Sequence, residues 1–478
     1  MKHPQHISRR QMLNRCKQGF GGLALLSMMG GLGCLAEEKK AFSAGVKEGL
    51  LPSTHFAPKA KSIIFLYMDG GISQVDSFDP KPRLYAERGQ NPYVKFKVDN
   101  TQFDDIGSLM PSLWDFKQYG ESGMWMSDLF LHIATCVDDI AMVHSMTSRF
   151  PEHTNANYFL HTGIGIQGRP SMGAWIQYGL GSENQNLPAY VVLDSGLIPP
   201  GGLDNFTSGF LPASYQASIF RSGDTPLANV SPTEPSDAHQ KQKLLAMQSL
   251  DAQLQAQLGP NDAIESAIQN YEMAARMQLS VPEVANLRNE SLLTRKLYGM
   301  LDEDEHTRNY GAQCLLARRL VEKGVRFVEL TCPQVAADRW DQHSDLKNGH
   351  ERNAHAVDQP IAGLLKDLKW RGLLEDTLVV FAGEFGRTPF SQGGDGRDHN
   401  PSAFSIWMAG GGIKGGTVYG KTDEYGYRVV ENPTTIHDLH ATMLHLLGMD
   451  HERLTYRFGG RDIRLTDVHG HVIKDILM

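Results

Sequence analysis

Thiols are scarce in this chain, with five cysteines among 478 residues and no CxxC pair. Cys136, Cys314 and Cys332 stand far apart, which excludes a zinc ribbon or a disulfide framework and leaves buried thiols as the reading. Long apolar runs are lacking too: GFGGLALLSMMGGLGCLA, from Gly19 to Ala36, is too short and too glycine-rich for a transmembrane helix. Acidic residues are missing from the first twenty positions, which carry Lys2, Arg9, Arg10, Arg15 and Lys17. The net charge of −8 therefore divides into +5 there and −13 over the remainder. An acidic body argues against nucleic acid as a partner, because phosphate backbones are met by clustered Lys and Arg.

What is present begins with that leader. SRRQML (Ser8 to Leu13) followed by the apolar run resembles a twin-arginine export signal, so residues 1–36 are set apart and 37–478 are expected to be one folded domain. The expected partner is the twin-arginine export machinery and the expected location periplasmic or extracellular. The one membrane link considered is lipidation of Cys34, although Gly31 fits a lipobox poorly. With 41% hydrophobic and 21% charged residues, the rest has the make-up of a globular protein with ample core.

Short β-branched runs recur at Ser62–Met68, Ile140–Ser145, Ala189–Leu193, Val325–Leu330, Thr377–Gly383 and Phe404–Gly410. Helical periodicity lies between them, at Asn309–Gly324, Ala354–Gly372 and Thr434–Gly448. This alternation predicts an α/β fold with a large, mostly parallel sheet sandwiched by helices, and ligands gathered at the carboxyl ends of the strands. A Gln-rich helical stretch at about 237–295 reads as an insertion.

The strand ends carry the chemistry. Asp69 follows the first strand, Asp341 and His343 follow the Val325 strand, Glu384 follows the Thr377 strand, and Asp398 with His399 precede the Phe404 strand. One strand-end Asp reads most simply as a helix cap and one His as a packed side chain. Together they predict a metal site, because oxygen and nitrogen donors without thiolate suit one or two divalent ions such as zinc, manganese, magnesium or calcium. Arg387 and Arg397 read either as a clamp for an anionic substrate or as salt-bridged partners of neighbouring acids. The glycines of GGGIKGG (Gly410 to Gly416) read as a hairpin turn, since no strand-to-helix junction is there for a phosphate loop. His437, His440 and His445 read as one helix face packed on the sheet.

MDGGISQVDSFDPKP, HTNANYFLHTG, RWDQHS, GEFGRTP, GRDHNPSAFSIWMAGGGIKGG and GGRDIRLTD resemble the exported bacterial family called domain of unknown function 1501. That family is placed beside the sulfatases in the alkaline-phosphatase-like superfamily, and the resemblance implies a two-metal hydrolase site. It implies that Asp69 is a first metal ligand, Asp341 with His343 the Asp/His pair, and His399 the last imidazole. Glu384-Phe385 stands where the superfamily has Asp-His, with Asp398 as the replacement ligand.

The sulfatase signature C/S-x-P-x-R is absent, and counting back from Thr162-Gly163 reaches His153 and Thr154. Three expectations follow for function. The first is hydrolysis of phosphate or sulfate esters, small or glycan-borne, by a metal-activated hydroxide or by Thr154 as nucleophile, with His153 as ligand or general acid. The second is a phosphotransferase or mutase that depends on Thr154. The third is a non-catalytic secreted protein that binds polysaccharide or a partner.

Overall fold

The computed structural model describes residues 53–478, apart from 100, 102–104, 222, 224–225, 228–233, 260 and 336–338. The leader and Cys34 lie outside the described residues. Residues Leu50–Met478 cluster as one compact unit.

A nine-stranded sheet runs through it, in the order Thr417–Tyr419, Ile140–Thr147, Phe404–Ala409, Thr377–Ala382, Ser62–Tyr67, Phe327–Leu330, Tyr190–Asp194 and Ser218–Arg221, with Thr434–Thr435 also on the Ile140 strand. Its pairs are parallel except those made by Phe404–Ala409, which runs antiparallel to both neighbours. The architecture is therefore α/β with a large, mixed, mostly parallel sheet, as the alternation of patterns predicts.

Strand pleating sorts the core into two layers. Ile64, Leu66 and Met68 face a layer with Tyr310, Leu315, Val357 and Leu364 from the helices Glu305–Glu322 and Leu346–Trp370. Ile63, Phe65 and Tyr67 face another with Phe159, Trp175 and Leu439 from His153–Thr162, Met172–Leu180 and Ile436–Leu446. A sheet covered on both faces keeps its strand-end loops as the places where polar groups can assemble. Residues 237–285 form two long helices, Asp237–Leu258 and Asp262–Ala285, and Met277, Val281 and Val284 of the second join the first layer.

One local expectation is corrected. GGGIKGG is not a hairpin turn: the strands on either side of it flank opposite sides of Ile140–Thr147, so the loop rounds that strand's start, with Gly416 N–H donating to Ile140 O at 2.9 Å. The stretch holding Arg397, Asp398 and His399 is the strand Gly396–Asn400. It pairs with Gly386–Gln392, which pairs with Ile106–Leu109, in a small second sheet. Gly415 to Thr422 also matches the spacing GxxxxGKT. No helix follows it; Lys421–Thr422 pairs with Val429–Glu431, and the Lys421 amine binds Glu431 at 3.0 Å, so it is no phosphate loop. Among the described residues no helix is long and apolar enough to cross a membrane.

Candidate metal centre

Five chain segments meet at the carboxyl edge of the central strands. Asp69 follows the Ser62 strand, Glu384 the Thr377 strand, and Asp341 and His343 the Phe327 strand. His153 opens the helix after the Ile140 strand, and Asp398 and His399 arrive just before the Phe404 strand, whose reversed direction brings its start to the same edge. Glycine lets two of these segments touch. Gly70, at φ +106°, lies so close to the Asp341 loop that a Cβ would sit 2.7 Å from Trp340 N, and at Gly396 it would sit 1.9 Å from His343 O.

Asp341 is the hub. Its Oδ1 lies 2.9 Å from His343 Nε2 and 3.1 Å from His399 Nε2, and its Oδ2 lies 3.0 Å from His153 Nε2. His153 Nδ1 bonds Glu384 Oε1 at 2.7 Å, and Gly70 N–H donates to the same oxygen at 2.9 Å. His399 Nδ1 is 2.6 Å from the carbonyl of Pro151, and His343 Nδ1 faces the Gln392 amide oxygen. Each of those nitrogens must therefore donate, so in the neutral ring each Nε2 carries a lone pair, and the two Nε2 atoms face each other at 3.1 Å. Phe385 packs between His153 and His399, at ring distances of 4.9 and 4.5 Å.

The fit to a cation rests on atoms without hydrogen bonds. Asp69 Oδ2, Glu384 Oε2 and Asp398 Oδ2 are buried and accept none, among buried groups that are almost always paired. Three ligand groups, His153 with Asp341 and His399, His343 with Asp398 and His399, and Asp69 with His153 and Glu384, each bring their donor atoms within 4.8 Å of one another. Carboxylate and imidazole donors in this number fit a divalent ion of the zinc, manganese or magnesium type.

The electrostatics agree with that fit. Burial works against the charged form of His153, but the carboxylates of Asp341 and Glu384 outweigh it and hold its pKa at about 9. Burial and the nearby Glu384 push Asp69 up to about 6, against the pull of Arg339. Burial disfavours the charge of Asp341 as well, yet the three imidazoles and Arg387 keep its carboxyl far below the usual range. Burial and the Arg387 charge lower His399 to about 4, so its ring is neutral near pH 7 and able to ligate.

All six expected metal ligands, Asp69, Asp341, His343, Glu384, Asp398 and His399, come together, and His153 joins them. The other expectations fare differently. The helix cap ahead of Thr154 is Glu152, whose carboxylate accepts from Thr154 N at 2.8 Å and Asn155 N at 3.0 Å.

Arg387 and Arg397 do not form an anion clamp. Both are fully buried, and Arg387 gives its protons to the carbonyls of Gly70, Gly71 and Arg397 and to Asp341. Arg397 pairs with both oxygens of Asp76, at 2.6 and 3.2 Å, and bonds the carbonyls of Thr388, Met110 and Pro111. They brace the loops that carry the ligands. His437 and His440 form no cluster of ligands: each Nε2–H donates to a carbonyl, of Gly163 at 2.8 Å and Leu160 at 2.7 Å.

Sequence reasoning missed three supports of Asp69. Tyr67 hydroxyl lies 3.1 Å from its Oδ1, the Cys332 thiol accepts its backbone N–H at 3.0 Å, and Arg339 Nε lies 2.6 Å from its Oδ2. Arg339 is two residues from Asp341, and that nearness was the one signal available.

No curated protein matches the chain. Among solved structures it is similar to the lipoteichoic acid synthase LtaP from Listeria monocytogenes, at 9% identity over 83% of this chain and 76% of that one, TM-score 0.36. It is similar to the PsFucS1 sulfatase from Pseudoalteromonas sp., at 14% identity over 81% and 68%, TM-score 0.35. It is similar also to the alkaline phosphatase from the Antarctic bacterium TAB5, at 12% identity over 81% and 98%, TM-score 0.35. The family model described as "Protein of unknown function (DUF1501)" matches residues 60–477, and the chain belongs to that family.

Proposed function

We propose that this protein is an exported, divalent-metal-dependent hydrolase of phosphate or sulfate esters. The observation that carries the reading is the close meeting of four carboxylates and three imidazoles at the sheet edge, with three buried carboxylate oxygens left without hydrogen bonds. A divalent ion, when bound, supplies Lewis acidity and a water of lowered pKa. Asp69, His153, Asp341, His343, Glu384, Asp398 and His399 are the residues that would hold one or two such ions.

The rest of the chemistry falls to the chain. Pro151 O and Gln392 fix the ring orientation of His399 and His343, so that both Nε2 atoms converge beside Asp341. Phe385 and the buried sheet edge keep bulk water from the inner carboxylates. Water is the nucleophile in this reading, since a cation held by the cluster would supply a water of lowered pKa. The phosphotransferase or mutase reading would need Thr154 as the nucleophile instead. Export rests on Arg9-Arg10 in the acid-free leader, with the periplasm or exterior as destination.

The test is hydrolysis of aryl phosphates and aryl sulfates by the purified mature protein, before and after chelation and metal return. Turnover of one ester class that follows the metal supports the proposal. Stoichiometric metal with no turnover of either class would replace it with the non-catalytic, polysaccharide-binding reading. Changing Arg9 and Arg10 to Lys should hold the protein in the cytoplasm, and undiminished export would remove the twin-arginine assignment.

A further inference from the structure

Three arginines approach the cluster, and one is built differently from the others. Arg387 and Arg397 are fully buried and spend their guanidinium nitrogens on protein oxygens. Arg339 has a side chain 16% exposed and reaches Asp69 of the cluster. Its Nη2 donates to Ile198 O at 2.9 Å, and its Nη1 has no acceptor among the described residues. Its Nε lies 2.6 Å from Asp69 Oδ2, but neither atom makes a hydrogen bond of proper direction there. The contact is one of charge, loosely aimed. Arg339 also sits at φ +50°, the left-handed region that side chains with a Cβ seldom adopt.

The same Asp69 oxygen is a donor that the metal site needs. A divalent cation on that oxygen would compete with the loosely aimed guanidinium for it. A guanidinium loosened beside a bound cation has the planar donor fork that fits two oxygens of a tetrahedral anion.

We propose that Arg339 is the oxyanion-binding residue of this site: it neutralises Asp69 in the metal-free protein and turns to a phosphate- or sulfate-type group once a divalent cation takes that carboxylate. The inference rests on the metal site of the proposed hydrolase, but not on turnover. It requires cation and anion to bind cooperatively, each tightening the other by the same factor.

The test is isothermal titration of the mature protein with inorganic phosphate and, separately, sulfate, chelated and manganese-loaded. Metal content is measured by mass spectrometry, and Arg339→Ala and Arg339→Gln are run beside the parent. The loaded parent should bind at least one anion and the chelated parent neither; whichever binds names the oxyanion class. Both variants should keep their metal, bind it at least as tightly because a competing cation is gone, and bind the anion about 10- to 100-fold more weakly. Unchanged anion affinity in the variants would overturn the inference, as would loss of metal and anion together, which marks Arg339 as a structural brace of Asp69. A loaded parent that binds no anion also overturns it. Arg339-dependent anion binding without ester turnover would sustain it while the hydrolase reading fails, and a parent that takes up no metal would remove both.

Discussion

The helix His153–Thr162 meets imidazoles at both ends, and the two ends are built on opposite principles. At its start, His153, His343 and His399 crowd around Asp341 with donor atoms left over. At its finish, His437 and His440 donate to Gly163 O and Leu160 O, carbonyls of the last turn that have no partner within the helix. Burial lowers His440 to about 3, so it is a neutral donor and nothing more. The residue type is shared. What differs is the partner: several carboxylates converging on the imidazoles make a place for a cation, whereas a carbonyl opposite an imidazole makes a cap.

That contrast can be broken in graded ways. The largest effect should come from pH. In the metal-free protein His153 holds its proton to about 9 and Asp69 to about 6, so a cation must displace a proton at His153 throughout pH 6 to 9 and a second one at Asp69 below that. Affinity should rise with pH by up to about tenfold per unit across that window and level off above it. Metal titrations in buffers of differing ionisation enthalpy measure both slope and proton release, and a flat profile would show that His153 is not displaced.

His399→Ala comes next and should weaken metal binding by more than about 100-fold, beyond the usual cost of losing an outer partner. The variant should still fold, since the ring's other bond, to the Pro151 carbonyl, is a single contact. Full metal content in it would refute ligation.

Chelation follows. Removing metal present at 100 times its dissociation constant should cost about 2.7 kcal/mol of stability, read as a drop in melting temperature that returned metal reverses. At the far end of the helix, His440→Leu should cost only about 1 kcal/mol through the lost hydrogen bond to Leu160 O and leave metal affinity as it was. A large change in metal affinity there would erase the distinction between the two ends.

Much of this was legible in the sequence, for identifiable reasons. Runs such as SIIFLY and TLVVFA are apolar throughout because both faces of their strands are covered, and the acids that follow them stand at the sheet edge by topology alone. GRTPFSQ and GRDHN carry no such signal. They are strands whose polar side chains are wholly buried and paired with distant partners, and nothing in their pattern separates them from loops. The arginines show the same limit. Asp76 meets Arg397 across 321 positions of sequence, and Gly71 O meets Arg387 across 316, so whether each guanidinium faces an anion or a carbonyl could not be read locally. Arg339 was passed over because its partner Asp69 is equally remote, while the neighbouring Asp341 and His343 drew attention as ligands.

The central claim is that the cluster around Asp341 holds metal, and anomalous diffraction from crystals of the mature protein, grown without added chelator, tests it most directly. The account predicts one or two peaks enclosed by Asp69, His153, Asp341, His343, Glu384, Asp398 and His399, with no comparable peak beside His437 and His440. Absence of any peak within the cluster after loading with zinc or manganese, with the imidazoles still gathered around Asp341, would contradict it.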